Sequence, residues 1–316
     1  MITISKLTRR YGDNTAVDDV SFEIGRGEIV GLLGHNGAGK TTLMKVLTGY
    51  LEPSQGTISV DGHDVVEQRI EAQQMIGYLP EAAPLYGEML VQDYLLMMAG
   101  LRGVAPSEAD NAVVEAILAT DLADRALDPI RTLSKGLRQR VGIAQAIVHK
   151  PAVLVLDEPT NGLDPTQIRA IRDLINRLGQ DTTVLLSTHI LQEIEAVCDR
   201  VIVLMSGKVV TDAPLADLVT SRDIRITVNA EEQAARTHLH KLTGVQKVTY
   251  VGPDSRPGFH SYLVTAVDQA ALAPLLASSA LEAGWQIAAV APDRVSLEHV
   301  FAKLEDEHIA SAGGAA

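Results

Sequence analysis

The 316-residue sequence predicts an α/β core with a helical insertion, followed by a small α+β domain. Short apolar segments alternate with helical periods over residues 1–220, and a mostly helical stretch at about 82–150 interrupts them. A second set of strands and helices follows at 221–305. A hydrophobic fraction of 46% is enough for one large and one smaller domain. We expect residues 306–316, which end in the small residues SAGGAA, to be disordered.

The predicted core alternates buried strands with helices. Apolar runs of four to six residues between turns are typical of buried strands, and Asp61-Gly62 closes a hairpin. Strands are predicted at Ile2–Lys6, Val20–Ile24, Glu28–Leu33, Thr57–Val60, Ile76–Leu79, Val153–Leu156, Val184–Ser187, Val201–Met205 and Lys208–Thr211. Helices are predicted at Thr42–Thr48, Val91–Arg102, Glu108–Ala119, Thr166–Leu178 and Leu191–Val197, with a break at Pro106.

The second domain has the order strand, helix, strand, strand, helix, strand. This βαββαβ order is typical of the ferredoxin-like arrangement, also called the split βαβ arrangement. The elements are predicted at Ile224–Val228, Glu231–Leu242, Lys247–Val251, Ser261–Ala266, Gln269–Ala283 and Gln286–Val290, with a terminal helix at Ser296–Leu304.

Composition narrows the class of function. The formal net charge is −13, which argues against nonspecific binding of nucleic acid because such binding needs a basic face. No apolar run approaches the roughly 18 residues that span a bilayer, and MITISKLTRR lacks the apolar core of a signal peptide. Cys198 is the only cysteine, so the sequence allows no internal disulfide and no cysteine zinc cluster. We expect it to be a small buried side chain.

The most specific motif is the segment Gly34–Thr41, GHNGAGKT. It matches G-x-x-x-x-G-K-[ST], a loop whose backbone N–H groups surround a phosphate. Lys40 would add a positive charge near the outer phosphates, and the Thr41 hydroxyl would hold Mg²⁺. The segment lies between a predicted strand and a predicted helix, whose N-terminus favours an anion. It therefore predicts a nucleoside triphosphate site.

A second acidic motif supports this prediction. Asp157 and Glu158 end the apolar run AVLVLDE. Asp157 would reach the Mg²⁺ at Thr41, and Glu158 would point toward an attacking water. An ordinary buried strand that ends in two acids is the alternative, and the phosphate loop makes that alternative much weaker.

Further candidates are weaker when each is taken alone. In LSKGLRQR, Ser134 would cap a helix whose N-terminus suits an anion, although a plain capped basic helix has the same pattern. His189 follows a predicted strand, where an imidazole could meet a γ-phosphate, although a lone histidine there is more often structural. Glu81 also ends a strand, NGLDP directly follows Pro159-Thr160, and Tyr11 could stack on adenine.

Taken together, these motifs resemble the nucleotide-binding subunits of ABC transporters over about residues 1–220. The resemblance implies a P-loop NTPase core of ABC type with a helical subdomain, and Mg²⁺-dependent ATP hydrolysis. By the resemblance, Asp157-Glu158 are the Walker B acids, NGLD is the D-loop, His189 is the switch histidine and Glu81 occupies the Q-loop position. ATP would be bound by Tyr11, Gly34, His35, Asn36, Gly37, Ala38, Gly39, Lys40, Thr41 and Thr42, and by Ser134 and Gly136 of the signature motif. Mg²⁺ would be held by Thr41, Asp157 and Glu81.

Two departures from the family pattern stand out. The signature motif is commonly LSGGQ, whereas this chain has Lys135 and Leu137 in the third and fifth places. Ser134 and Gly136 are retained, and an added positive charge near an anion is compatible with function. The Q-loop glutamine is replaced by Glu81, which adds negative charge beside the γ-phosphate. YLPE together with LSKGLRQR is similar to a bacterial exporter branch that includes drug-efflux and gliding-motility ATPases.

The resemblance also implies partners. In the family, the signature helix of one subunit closes over ATP held by another, so we expect a head-to-tail dimer, here a homodimer. The conformational change that accompanies ATP binding and hydrolysis would be transmitted through Glu81 and the helical insertion to membrane-spanning permease subunits. The chain would then lie at the cytoplasmic face of the bacterial inner membrane. A soluble mechanical ATPase and a regulatory ATP-binding module without turnover are the alternatives. A single phosphate loop argues against the former, and intact Glu158 and His189 argue against the latter.

The second domain carries no catalytic signature. It loosely resembles the small C-terminal domain of some exporter ATPases, for which a regulatory or dimer-stabilising role is favoured over a small-ligand sensor. His238 and His240 suggest a metal site, but side chains two residues apart on a helix diverge. Exposed histidines are the simpler interpretation.

Overall fold

A computed structural model describes residues 1–266, 269–294 and 296–313. The chain divides into two compact units. The first contains residues 1–215 and the C-terminal segment from Leu304 onward, and the second contains Ala216–Lys303. Within the described residues, no helix has the length and apolar character needed to cross a bilayer.

The first unit contains two sheets, with helices in the connections between their strands. Its strands are β1 (Ile2–Tyr11), β2 (Asn14–Ile24), β3 (Ile29–Leu33), β4 (Gln55–Val60), β5 (His63–Asp64), β6 (Ile76–Leu79), β7 (Val153–Asp157), β8 (Thr183–Thr188), β9 (Arg200–Met205) and β10 (Lys208–Pro214). Its helices are α1 (Lys40–Leu47), α2 (Arg69–Gln74), α3 (Val91–Leu101), α4 (Pro106–Ala119), α5 (Lys135–Ile147), α6 (Pro165–Leu178) and α7 (Leu191–Val197).

The central sheet has six strands in the order β10-β9-β3-β8-β7-β6. All neighbouring pairs are parallel except β9 and β10. Every residue of β3, β7 and β8 is buried, which explains why these strands read as continuous apolar runs rather than as alternating patterns. Because the strands are parallel, their carboxyl ends meet at one edge, where ligands bind in such sheets.

An antiparallel sheet and a helical insertion complete the first unit. The sheet has the order β2-β1-β4-β5, and its apolar face shares a core with α1 and the central sheet. Helices α3, α4 and α5 form a separate apolar cluster around residues such as Tyr94, Leu95 and Val141. The predicted α/β core with a helical subdomain is confirmed.

The second unit has four antiparallel strands in the order β12-β13-β11-β14, as in the ferredoxin-like arrangement. Helices α9 and α10 pack on the apolar face, which includes Ile226, Tyr262 and Leu276. The elements are α8 (Leu215–Val219), β11 (Thr220–Val228), α9 (Glu232–Leu239), β12 (Val245–Pro253), β13 (His260–Ala266), α10 (Gln269–Glu282) and β14 (Ile287–Arg294). The last helix, α11 (Leu297–Gly313), begins in this unit and continues beyond its last residue, Lys303.

Three expectations about elements were wrong. The break between the two predicted helices is present, but α4 begins at Pro106 itself and not at Glu108, because the first helical position needs no N–H donor. The first two strands extend to Tyr11 and back to Asn14, so they form one long hairpin. Residues 306–313 continue α11 rather than forming a disordered tail, whereas 314–316 lie outside the described residues.

Candidate nucleotide-binding site

The loop Gly34–Thr41 connects β3 to α1, as the phosphate-loop motif predicts. Gly39 has a φ of 107°, and a Cβ there would lie 2.3 Å from the carbonyl oxygen of Ala16. A Cβ on Gly34 would lie 2.4 Å from the carbonyl oxygen of Leu204. Both positions therefore require glycine. The first N–H groups of α1 have no partner within the helix, which makes this end suited to an anion.

Lys40 extends back over the loop that precedes it. Its side chain is only 5% exposed, and Nζ donates to the carbonyl oxygens of Gly34 at 2.7 Å and His35 at 3.3 Å. The same Nζ lies 3.6 Å from Oε1 of Glu158. The ammonium group is thus held between the phosphate loop and the acid that ends β7.

Asp157 ends β7 and is fully buried. Its Oδ1 accepts a hydrogen bond from Ser187 Oγ at 2.5 Å and from Thr41 Oγ1 at 3.4 Å. Burial raises the pKa of Asp157, and these hydrogen bonds oppose the shift. Its Oδ2 is buried with no hydrogen-bond partner among the described residues. A buried carboxylate with a free oxygen beside a hydroxyl fits a hard cation such as Mg²⁺.

Glu158 leaves the strand with a φ of 49°, in the left-handed region. Its N–H donates to the carbonyl oxygen of Ser187 at 3.2 Å and to Ser187 Oγ at 3.1 Å. Its Oε2 lies 2.9 Å from Nδ1 of His189. Burial raises the pKa of Glu158, whereas the nearby His189 and Lys40 lower it. The imidazole of His189 therefore orients the Glu158 carboxylate through Oε2, while Oε1 faces the ammonium group of Lys40.

These groups surround a cavity of about 640 Å³. Tyr11 borders it with 45% of its surface exposed, and the guanidinium of Arg9 lies 4.8 Å from the centre of the Tyr11 ring. The predicted residues that line the cavity are Tyr11, His35, Asn36, Gly37, Gly39, Lys40, Thr41, Thr42, Glu81, Glu158 and His189. The structure thus brings most of the predicted site together at the carboxyl ends of the parallel strands.

Glu81 lies between this cavity and a neighbouring one. Asn161 Nδ2 donates a hydrogen bond to Glu81 Oε1 at 3.1 Å, which joins the segment after β6 to the segment after β7. Glu81, Thr41 and Asp157 together border the second cavity, of about 650 Å³. The three predicted metal-binding residues therefore share one space.

Ser134 and Gly136 are not among the residues that line either of these cavities. Ser134 caps α5, as predicted, and its Oγ accepts a hydrogen bond from the N–H of Leu137 at 3.3 Å. Gly136 lies against Gln167, and the ammonium of Lys135 lies against Gly162. Within one chain, this helix end contacts the segment after β7 rather than the phosphate loop.

Sequence reasoning missed a group of buried polar residues behind the site. Ser187 bonds to both Asp157 and the backbone of Glu158, and Thr160 and Thr188 both bond to the carboxylate of Glu193. These residues have no recognisable spacing. Their only signal in the sequence is a polar residue at the end of an apolar run, such as the Ser-Thr after Val184–Leu186.

Three other residues singled out in the sequence do not line these two cavities. His238 Nε2 lies 2.8 Å from Ser279 Oγ, and its ring packs edge-on against Trp285. His240 is exposed, and no cluster of metal-ligating side chains occurs among the described residues. Cys198 is buried beside Gly31, and burial raises the pKa of its thiol.

Known proteins are similar to this chain in sequence and in fold. A family model described as ABC transporter matches residues 17–161. The ABC transporter ATP-binding protein NatA of Bacillus subtilis is 40% identical over 227 residues, which cover 70% of this chain and 92% of that protein. The daunorubicin resistance ATP-binding protein DrrA3 of Streptomyces coeruleorubidus is 38% identical, over 77% of this chain and 79% of that protein. A solved ATP-binding subunit of an ABC transporter superposes with a TM-score of 0.63 and 32% identity, covering 69% of this chain and 91% of that one.

Proposed function

Because this chain belongs to the ATP-binding proteins of ABC transporters and is an ATPase of that family, we propose that it couples Mg²⁺-dependent ATP hydrolysis to export through separate permease subunits. One observation carries the proposal. Lys40, Glu158 and His189 come from three separate segments and border a single cavity beside the phosphate loop, and Asp157 is joined to Thr41 of that loop by a hydrogen bond.

The arrangement suits phosphoryl transfer, which needs positioning and charge neutralisation more than covalent chemistry. Lys40 and the backbone N–H groups of Gly34–Thr41 stabilise negative charge on the outer phosphates. Glu158 orients or deprotonates the attacking water, and His189 holds that carboxylate and faces the γ-phosphate. Thr41, Asp157 and Glu81 would hold Mg²⁺, and the bound ion would supply positive charge that neutralises the phosphates.

We place the second half of each site on another copy of the chain. Ser134 lies at the free N-terminus of α5, a helix end that suits a phosphate. Since this helix end does not border the cavity of its own chain, a head-to-tail homodimer would bring Ser134 and Gly136 over the partner's nucleotide. ATP would then join the two copies, and hydrolysis would release them.

The permease would contact the second cavity, between the central sheet and the helical insertion. Its border includes exposed aromatic and aliphatic side chains, Tyr50, Tyr86 and Leu101, next to Glu81. A helical segment of a membrane subunit seated there would sense the state of Glu81 directly. Such a contact would hold the chain at the cytoplasmic face of the bacterial inner membrane.

Export as the direction of transport is supported by a relative named for daunorubicin resistance. For the second unit we propose a regulatory or dimer-stabilising role. It has a ferredoxin-like sheet, and no group of side chains that could hold a metal ion occurs among the described residues.

The test is a pull-down of tagged Glu158→Gln protein with ATP from detergent-solubilised membranes. The variant should bind ATP, turn over little, dimerise and retain a polytopic membrane protein in comparable amount. The nucleotide-free sample is the control, since dimerisation should require ATP. Recovery of a soluble dimer alone, or with ribosomal or nucleic-acid components, would favour a mechanical ATPase instead. Wild-type turnover in the variant would contradict the assignment of Glu158.

A further inference from the structure

Glu193, on α7, is a carboxylate buried behind the nucleotide site. Its exposed fraction is 3%. Both of its oxygens accept hydrogen bonds: Oε1 from Thr160 Oγ1, and Oε2 from Thr188 Oγ1 at 2.8 Å. The two threonines are themselves buried, with exposed fractions of 3% and 0%.

The two threonines belong to the two segments that carry the candidate catalytic side chains. Thr160 lies two residues after Glu158, in the turn where the N–H of Asn161 donates to the carbonyl oxygen of Glu158 at 3.1 Å. Thr188 directly precedes His189, and its Oγ1 also accepts a hydrogen bond from the N–H of Ile190 at 3.1 Å. One carboxylate therefore joins the segment after β7 to the segment after β8.

We infer that Glu193 is a positioning residue that holds Glu158 and His189 in their mutual arrangement by joining Thr160 to Thr188. The inference rests on the proposed ATPase function. Glu193 does not border the cavity of about 640 Å³, so it acts through the two segments and not on the nucleotide.

Stability alone is a poor explanation for a carboxylate at this position. Val197, four residues after Glu193 on the same face of α7, is buried, so this face accommodates an apolar side chain. Moving a carboxylate out of water is costly, and replacing a buried charge with a well-packed apolar group is often neutral or stabilising. The carboxylate offers two acceptor oxygens in fixed directions, which an apolar side chain lacks.

The distance between His189 Nδ1 and Glu158 Oε2 is 2.9 Å, and it depends on the relative position of the two segments. A shift of about 1 Å between reacting groups can reduce a rate by about 100-fold. Ground-state binding of ATP depends mainly on the phosphate loop, which Glu193 does not contact in any of the hydrogen bonds above. Loss of Glu193 should therefore reduce kcat while leaving ATP affinity nearly unchanged.

The experiment compares Glu193→Met, which has a similar volume and no acceptor oxygens, with Glu193→Gln, which can still bond to both hydroxyls. Phosphate release at saturating ATP gives kcat, and fluorescence titration with a labelled ATP analogue gives Kd. We expect Glu193→Met to lower kcat about tenfold or more with Kd within about twofold, and Glu193→Gln to stay near wild type. Thr160→Val and Thr188→Val should each lower kcat, and their effects should not add.

Thr120→Val is the matched control. Thr120 is a fully buried threonine in the helical insertion, and its hydroxyl donates to the carbonyl oxygen of Ala116 at 2.7 Å. The Thr120→Val variant should change Tm without the selective loss of kcat that we expect for Glu193→Met.

Wild-type kcat in Glu193→Met, or loss of kcat and affinity together in proportion to a fall in Tm, would overturn the inference. If Glu193→Met does not fold, wild-type kcat in both threonine variants overturns it as well. Failure of the proposed function is distinguishable, because then the wild-type chain itself would release no phosphate, or Glu158→Gln would release it normally.

Discussion

His189 Nδ1 lies 2.9 Å from Glu158 Oε2, so a side chain that follows β8 orients the acid that ends β7. The other oxygen of Glu158 lies 3.6 Å from Lys40 Nζ. The three groups form one connected set across the carboxyl ends of three parallel strands. Groups that act as a unit give mutational effects that do not add.

The first prediction concerns this pair. His189→Ala should lower kcat by about 100-fold, a typical contribution of a group that orients a general base. The double variant Glu158→Gln/His189→Ala should be no slower than Glu158→Gln alone. Single-turnover phosphate release measures both. Multiplicative losses in the double variant would show that the two residues act independently.

The second prediction concerns Asp157. Burial raises the pKa of Asp157 in the folded state. As the pH rises, the unfolded chain therefore loses this proton before the folded chain does, and the free energy of unfolding falls until the folded-state pKa is passed. Asp157→Asn should therefore raise the Tm of the nucleotide-free protein at pH 7.5 by about 2–4 °C, the shift that about 1 kcal/mol produces in a unit of this size. The same variant should lose Mg²⁺-dependent turnover.

The gain in Tm from Asp157→Asn should shrink in acid, where Asp157 is protonated in both states. Asp173→Asn, at an exposed acid on α6, is the control and should leave Tm nearly unchanged. A lower Tm for Asp157→Asn at pH 7.5 would contradict this account of the burial of Asp157.

The third prediction concerns Gly39. Gly39→Ala combines a left-handed φ with a Cβ that would lie 2.3 Å from a backbone oxygen of Ala16, so the loop must shift. ATP affinity should fall at least about tenfold, which corresponds to about 1.4 kcal/mol. Gly62→Ala has a similar positive φ but no atom within 4 Å of the added Cβ, so it tests backbone strain alone. Equal losses of affinity in the two variants would rule out the clash as the cause.

The fourth prediction concerns stability in acid. Burial lowers the pKa of His149 to about 4, the nearby Arg102 adds to the shift, and the hydrogen bond between Nε2 and the carbonyl oxygen of Ile76 opposes it. The unfolded chain therefore binds a proton that the folded chain excludes between pH 6.5 and about 4, and stability falls as the pH falls through this window.

His149→Gln should flatten the dependence of the unfolding free energy on pH in this window, by at most about 1.4 kcal/mol per pH unit. Denaturant unfolding at several pH values measures it. His240→Gln, at an exposed histidine, should keep the wild-type slope. An unchanged slope in His149→Gln would mean that another group titrates.

The sequence was sufficient for those parts of the site that depend on local patterns. Gly34 and Gly39 are required by close backbone approaches, and the acids at 157 and 158 follow an apolar run that is typical of a buried strand. The start of α4 is predicted two residues too late, because proline both breaks helices and begins them, and only its position relative to the first turn decides.

The supporting residues could not be predicted in the same way. Ser187 lies opposite Asp157 only because β7 and β8 pair in parallel with that register. Glu193 meets Thr160 only because α7 packs its inner face against the segment after β7. Such contacts join residues about 30 positions apart and leave no periodic pattern in the sequence, so the topology must be known before they can be recognised.

The left-handed backbone of Glu158 has a consequence for how this protein can change. A residue other than glycine in that region costs on the order of 1 kcal/mol, and glycine would remove the cost. Random mutagenesis that is screened only for a higher Tm should therefore accumulate Glu158→Gly. This variant would be more stable but would not hydrolyse ATP. Only a screen that demands activity in every round would keep the acid at this position.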